Sequence, residues 1–157
     1  MKGHGDVIEL LNDVLTAELT AINQYFVDAK MMQNWGYLRL ADHFREDSID
    51  EMRDAEKLTD RILYLEGMPN LQRLGTVRVG ETVTEKLELA LRVEYEAIER
   101  LNAAIARCTE IGDNGSRDLF AEILHGEEEH ADWLETQLGV IRAIGEPAYL
   151  AEQLSGS

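Results

Sequence analysis

Four stretches of this chain carry apolar residues at the three/four spacing of an α-helix, and one glutamate interrupts each stripe. The first stretch runs from about Asp6 to Asn34, with Ile8, Leu11, Leu15, Ile22 and Ala29 in register. The second, about Leu38 to Leu65, carries Phe44, Ala55, Leu58, Ile62 and Leu65. The third runs from a Thr82 cap to about Ile111, with Leu87, Leu91, Ile98, Leu101 and Ile105. The fourth begins at a Ser116 cap, ends near Gly145-Glu146-Pro147, and carries Phe120, Ile123, Leu134, Leu138 and Ile141. Stepping through those same registers lands on Glu18, Glu51, Glu94 and Glu127. Each helix therefore aims one carboxylate at the place where a core should be. Burying one unpaired carboxylate costs several kcal/mol, and four together repel. Metal cations satisfy such a cluster.

The punctuation sets the topology. Trp35-Gly36 breaks the first stretch from the second, and Gly67 as a C′ glycine followed by Pro69 stops the second. Residues 67–81 hold three glycines and no helical period, so they read as an extended crossover. Thr82 and Glu85 form a capping box, Gly112-Asp113-Asn114-Gly115 is a turn, and AYLAEQL predicts a short tail helix. Two helical hairpins joined by one long connection predict an all-α, antiparallel four-helix bundle, with helices two and three parallel. It is expected to form a single domain over residues 1–157. The 45% apolar content fills a core of that size, and only 6% aromatic residues argue against a β-sandwich. The lone Cys108 excludes an internal disulfide or a Cys-rich zinc site, so a reducing cytoplasm is the expected compartment. No apolar run reaches the roughly 18 residues of a membrane span, and the N-terminus lacks the apolar run of a signal peptide. A net charge of −16 repels nucleic acid and anionic membranes and draws in cations, although solubility alone accounts for it equally well.

A second regularity makes the cluster specific. Glu18 to Glu51 is 33 residues, and Glu94 to Glu127 is also 33, so an antiparallel hairpin brings each pair level. Three residues beyond the second glutamate of each pair stands a further ligand type, Asp54 after Glu51 and His130 after Glu127. Positions i and i+3 share a helix face. That suits a carboxylate bridging two metals beside a terminal ligand for each. Oxygen donors with an imidazole suit iron or manganese, whereas structural zinc usually recruits thiolates. The expected ligands of a di-iron centre are thus Glu18, Glu51, Asp54, Glu94, Glu127 and His130, with Glu51 and Glu127 bridging.

At these residues, and in the stretches MKGHGDVIELLNDVLTAELTAINQYF, DSIDEMRDAEKLTDRILYLEGMPN and EEEHADWLETQ, the chain resembles the bacterioferritins over nearly its whole length. The resemblance implies a ferroxidase that oxidises Fe(II) with O₂ or H₂O₂ at two iron ions per subunit. It further implies storage of the ferric product in a cytoplasmic shell of twenty-four subunits built from two-fold dimers. It implies haem b shared between two subunits, with Met52 of each as axial ligand and Leu19, Asn23, Phe26 and Ile49 lining the pocket. A ferredoxin-type donor would release the iron. Tyr25, one heptad after Glu18, and Trp133 would supply electrons; filling the core is an equally good account of Tyr25. The family pattern departs at Asp54, where a histidine is expected. Five carboxylates then face two ferrous ions, leaving an anionic site. Glu46, Asp47 and Asp50 are expected toward the cavity, and His4, His43 and His125 are further possible ligands or plain surface residues. Two other readings stay open: a haem-binding and shell-building subunit with an impaired centre, and a non-storage di-iron oxidase or peroxidase. Against the second stand the missing Cys-x-x-Cys and the presence of Met52.

Overall fold

A computed structural model describes residues 1–155. Four long helices and a short one make up the architecture: α1 Gly5–Trp35, α2 Leu38–Tyr64, α3 Val83–Ile111, α4 Asn114–Ile144 and α5 Glu146–Ala151. There is no strand among the described residues. α1 pairs most extensively with α2 and α3 with α4, while α1 also meets α3 and α4 meets α2, which closes the expected four-helix bundle. None of the helices is long and apolar enough to cross a membrane.

The helix ends follow local chemistry that the sequence alone placed slightly off. Thr82 caps α3 as expected, its Oγ1 accepting from the Glu85 amide at 3.1 Å. α4, however, is capped by Asp113 and not by Ser116: Asp113 Oδ1 accepts from the Ser116 amide at 3.0 Å. A carboxylate at a helix N-terminus also meets the positive end of the helix dipole, which a hydroxyl cannot match. Ser116 is instead buried in the first turn, its hydroxyl accepting from Arg61 Nε at 3.0 Å. Arg61 lies against Gly115 so closely that a Cβ there would come within 2.6 Å of Nη2 and displace the guanidinium.

The end of α2 corrects a second expectation. The left-handed residue is Glu66 (φ 63°), with Gly67 one position later. The Glu66 amide bonds to Leu63 O at 3.0 Å and the Gly67 amide to Ile62 O at 2.9 Å, a Schellman pair. Gly67 is needed for a different reason: a Cβ at that position would stand 2.7 Å from Ile8 Cγ2 of α1. The tail helix also begins earlier than predicted, at Glu146, with Pro147 in its first turn.

Two apolar clusters fill the bundle. One gathers Leu11, Leu15, Leu58, Ile62, Leu101 and Phe120; the other gathers Tyr25, Met32, Phe44, Leu87 and Leu134. Ile22, Leu91, Ile98 and Ile105, expected inward, sit half-buried at the stripe edges. Ala90, Ala97 and Ala104 take the central line of α3. Between the two clusters lies the layer occupied by Glu18, Glu51, Glu94 and Glu127. Elsewhere in the interior, Lys86 of α3 donates from Nζ to Asp28 Oδ1 of α1 at 3.0 Å, with neither side chain exposed.

Candidate metal centre

The four glutamates are 2%, 0%, 0% and 1% exposed in chain order, so each helix does deliver its carboxylate to the interior. Asp54 is half-buried, one turn beyond Glu51 on α2. His130 stands one turn beyond Glu127 on α4, its side chain 13% exposed. Two sets of ligand atoms form here, each drawn together within 4.8 Å. The first is Glu51, Glu94, Glu127 and His130; the second is Glu18, Glu51, Asp54 and Glu127. Glu51 and Glu127 are common to both. The six residues singled out from spacing are therefore brought together, with one terminal carboxylate and one i+3 residue on each side of a shared pair.

The electrostatics of this layer are unresolved within the protein itself. Glu18 Oε2, both Glu51 oxygens, Glu94 Oε2, Glu127 Oε1 and His130 Nδ1 are buried without a hydrogen-bond partner. Native structures leave few such atoms, because each forfeits its hydration. Burial raises the Glu51 carboxyl, and the charge of Glu94 adds to it. Burial, then the charges of Glu51 and Glu94, push Glu127 well above its ordinary range. Asp54 is pushed up to about 7 by burial and by Glu51. Burial opposes a charge on His130, but the nearby carboxylates of Glu51, Glu94 and Asp47 outweigh it and raise the imidazole to about 11. Its Nδ1 lies 3.2 Å from Glu51 Oε1, 3.5 Å from Glu94 Oε1 and 3.6 Å from Glu127 Oε1. The groups raised here each offer a lone pair suited to a cation, so a metal bound among them would displace protons. Five carboxylates and one imidazole, with orphaned oxygens facing one another, fit a pair of divalent cations.

The surroundings hold the centre from behind. His130 Nε2 faces Asp47 Oδ1 at 3.4 Å and Asp50 Oδ2 at 3.8 Å. A carboxylate on the outer nitrogen fixes a histidine's tautomer and turns the inner nitrogen's lone pair toward a metal. Asp47 was expected to face a cavity with Glu46 and Asp50. Those two are exposed, but Asp47 is buried and reaches two imidazoles, since its Oδ2 lies 3.2 Å from His43 Nε2. The signal for it was present: position 47 is four before Glu51, on the same face. His43 is accordingly no free surface residue, and its ring stacks on Trp133 with centroids 3.5 Å apart. His4 caps α1 through Nδ1, and His125 is exposed.

Tyr25 is 1% exposed and its hydroxyl donates to Glu94 Oε1. Burial and the neighbouring glutamates keep its phenol protonated far above the usual range. Its ring meets Phe44 edge-on at 5.8 Å, and Phe44 meets Trp133 at 6.1 Å. Met52, next to Glu51, points the other way and is 50% exposed. Phe26 and Ile49 are exposed as well, Asn23 is exposed, and Leu19 is half-buried.

The comparisons with known proteins agree with this geometry. The family model described as ferritin-like domain matches residues 8–144. A bacterioferritin of Mycobacterium leprae is 51% identical over 155 residues, covering 99% of this chain and 98% of that protein. One from Streptomyces coelicolor is 52% identical, covering 96% and 90%. One from Brucella melitensis is 47% identical, covering 95% and 92%. Identity at that level over nearly the whole chain leaves one assignment: the chain belongs to the bacterioferritin family and is an iron-storage subunit.

Proposed function

We propose that the subunit is a ferroxidase, binding two iron ions through Glu18, Glu51, Asp54, Glu94, Glu127 and His130. The observation that carries this reading is the sharing of Glu51 and Glu127 between two ligand sets. Two ferrous ions give up one electron each. With hydrogen peroxide the balance is two Fe(II), H₂O₂ and two protons to two Fe(III) and two waters. With dioxygen it is two Fe(II), O₂ and two protons to two Fe(III) and H₂O₂. The protein's part is to hold both substrate ions at one fixed separation and to manage charge around them. Glu94 and His130 serve one ion and Glu18 and Asp54 the other. Asp47 orients His130, and Tyr25 holds Glu94 by its hydroxyl while offering an oxidisable ring. Five carboxylates against two ferrous ions leave a net charge of −1, which favours the ferric state.

The same reading extends outward. The ferric product passes to the inside of a shell of twenty-four subunits built from two-fold dimers in the cytoplasm, and a ferredoxin-type donor returns electrons for release. Haem b would be held against the exposed apolar face of the α1–α2 hairpin by the Met52 thioether of each of two subunits. When bound, haem supplies one-electron transfer; the face made by Phe26 and Ile49 would exclude water from it. Replacing Met52 by Leu is expected to abolish the haem absorbance of the purified protein while leaving Fe(II) oxidation in place.

A crystal soaked anaerobically with Fe(II) tests the centre directly. Anomalous scattering at the iron edge should show two peaks per subunit, one between Glu94 and His130 and one between Glu18 and Asp54. A single peak, or none, would overturn the two-iron assignment. Gel filtration should give a species near twenty-four times 17.8 kDa.

A further inference from the structure

A cavity of about 250 Å³ lies beneath the crossover, walled by Gly75, Thr76 and Arg78 on one side and by α1 and α3 on the other. Its floor is Glu18, Glu51 and Glu127, three of the four residues of the Glu18/Asp54 ligand set. The path from mouth to floor offers a cation nothing to hold. Ala17, Ala21, Val93 and Ala97 line it. Of the three hydroxyls on the walls, Thr76 lies at the exposed mouth and the two deeper ones are engaged: Thr20 Oγ1 donates to Thr16 O at 2.7 Å and accepts from the Gly75 amide at 2.8 Å. Thr16 Oγ1 accepts from Arg73 Nε at 2.9 Å. At the rim the acids are already paired, Asp13 with Arg73 at 2.8 Å and Glu96 with Arg78 at 3.1 Å. Arg100 stands beside them, so this mouth lacks the acidic excess of a chain with net charge −16. A hydrated divalent ion entering here would have to shed water against methyl groups without receiving oxygen ligands in return. A small neutral molecule would not.

A second cavity is lined by Asp42, His43, Glu46 and Glu152 with Arg39 and by the apolar Trp133, Val140 and Ile144; its His43 is linked through Asp47 to His130.

We propose that the cavity beneath the crossover is the port through which the neutral oxidant reaches the centre, separate from the route taken by Fe(II). The proposal rests on the ferroxidase reading and fixes which face of the centre the oxidant meets first, the Glu18/Asp54 side. Ala17 is the place to obstruct it, since its side chain lines the cavity without belonging to the ligand sets. The intact protein is loaded anaerobically with two Fe(II) per subunit and mixed with H₂O₂ in a stopped-flow instrument. Binding of Co(II), followed by its visible bands, is measured separately. Ala17→Leu is expected to lower the bimolecular rate constant for H₂O₂ at least tenfold and to leave the rate and stoichiometry of Co(II) uptake unchanged. An unaltered H₂O₂ rate overturns the proposal. So does an equal slowing of Co(II) uptake, which would make the cavity a cation route. Should Ala17→Leu lose helicity or melt early, Thr76→Phe at the exposed mouth carries the same comparison. Wild-type protein that fails to take up two Co(II) per subunit would remove the ferroxidase reading itself, and the port with it. That result is distinct from normal uptake with an unaltered H₂O₂ rate.

Discussion

Replacing Glu127 by Gln should make the metal-free protein more stable while impairing its metal centre. Glu127 is 1% exposed and is pushed well above its ordinary value of 4.5 by burial and by the charges of Glu51 and Glu94. In the unfolded chain at neutral pH the same carboxylate is ionised and hydrated. Folding must therefore either protonate it or bury its charge. The cost is about 1.4 kcal/mol for every pH unit between 4.5 and the solution pH, up to the raised folded value. At pH 7 the ceiling is about 3 kcal/mol, and glutamine, which has nearly the same shape and no charge, escapes it. For a chain of this size each kcal/mol moves the melting temperature by about 2–4 °C, so the gain reaches about 6–12 °C.

The sign follows from proton uptake. A carboxylate raised by folding binds more protons in the native than in the unfolded state, so through this group wild-type stability rises as pH falls from 7 toward 4.5. Glu127→Gln lacks that slope, and the two melting curves should converge near pH 4.5. Adding Co(II) should invert the order at pH 7. Metal at one hundred times its dissociation constant stabilises by about 2.7 kcal/mol, and the variant, lacking a shared anionic oxygen, gains less. Calorimetry of both proteins from pH 4.5 to 7.5, with and without Co(II), reads all of this. If metal-free Glu127→Gln melts at or below wild type at pH 7, or the gap does not close on acidification, the carboxylate layer is not the frustrated element described above.

Other perturbations separate neighbouring roles. Lys86→Met should cost about 3–5 kcal/mol in urea unfolding, because Asp28 is left buried without its cation, and adding Asp28→Leu should recover most of the loss. Asp54→His brings the ligand charge against two Fe(II) from −1 to 0, so stopped-flow oxidation should change in rate or stoichiometry; identical traces would show position 54 to be idle. Tyr25→Phe keeps the ring against Phe44 but removes the bond to Glu94. Metal stoichiometry should hold while repeated turnover slows, and an unchanged multi-turnover rate would reduce Tyr25 to core packing.

What could be read from the sequence was whatever repeats along a helix. Glu18, Glu51, Glu94 and Glu127 stand out because a long amphipathic stripe fixes the phase of every position within it, and an intruding charge has no other face to occupy. Asp54 and His130 follow at i+3 by the same rule. Features decided between elements were harder to read. Asp47 lies on the face of Glu51, yet Glu46 and Asp50 near it made a group of acids facing the cavity the simpler account. Only the approach of α4 brings His130 to it. The Lys86–Asp28 pair joins α1 to α3 across 58 residues and leaves no periodic trace. The cap errors are of a local kind. Asp113, Asn114 and Ser116 are all good N-cap residues, and the choice fell to the one whose carboxylate could also receive Arg61. At Glu66 and Gly67, Ile8 of α1 claimed the space beside the glycine, and the left-handed turn fell to its neighbour.

The two halves of the centre differ in more than the identity of one ligand. His130 is gripped from behind, its outer nitrogen facing Asp47, which in turn reaches His43 stacked on Trp133. That chain of contacts pins one side. Asp54 has no such backing: Lys57, the cation whose charge acts most on it, is occupied by Glu122 at 2.5 Å on the surface, and its own side chain is short. A carboxylate held so loosely can bind an ion through one oxygen or two, and so can follow a change in the ion's charge and size that an imidazole pinned in place cannot. The cavity beneath the crossover opens onto this side, with Glu18 on its floor and neither Glu94 nor His130 among its walls. With the port proposed above, the less constrained ligands and oxidant access fall on the same ion. On this reading the aspartate at position 54 does not make a defective copy of the other half; it divides the labour of the pair.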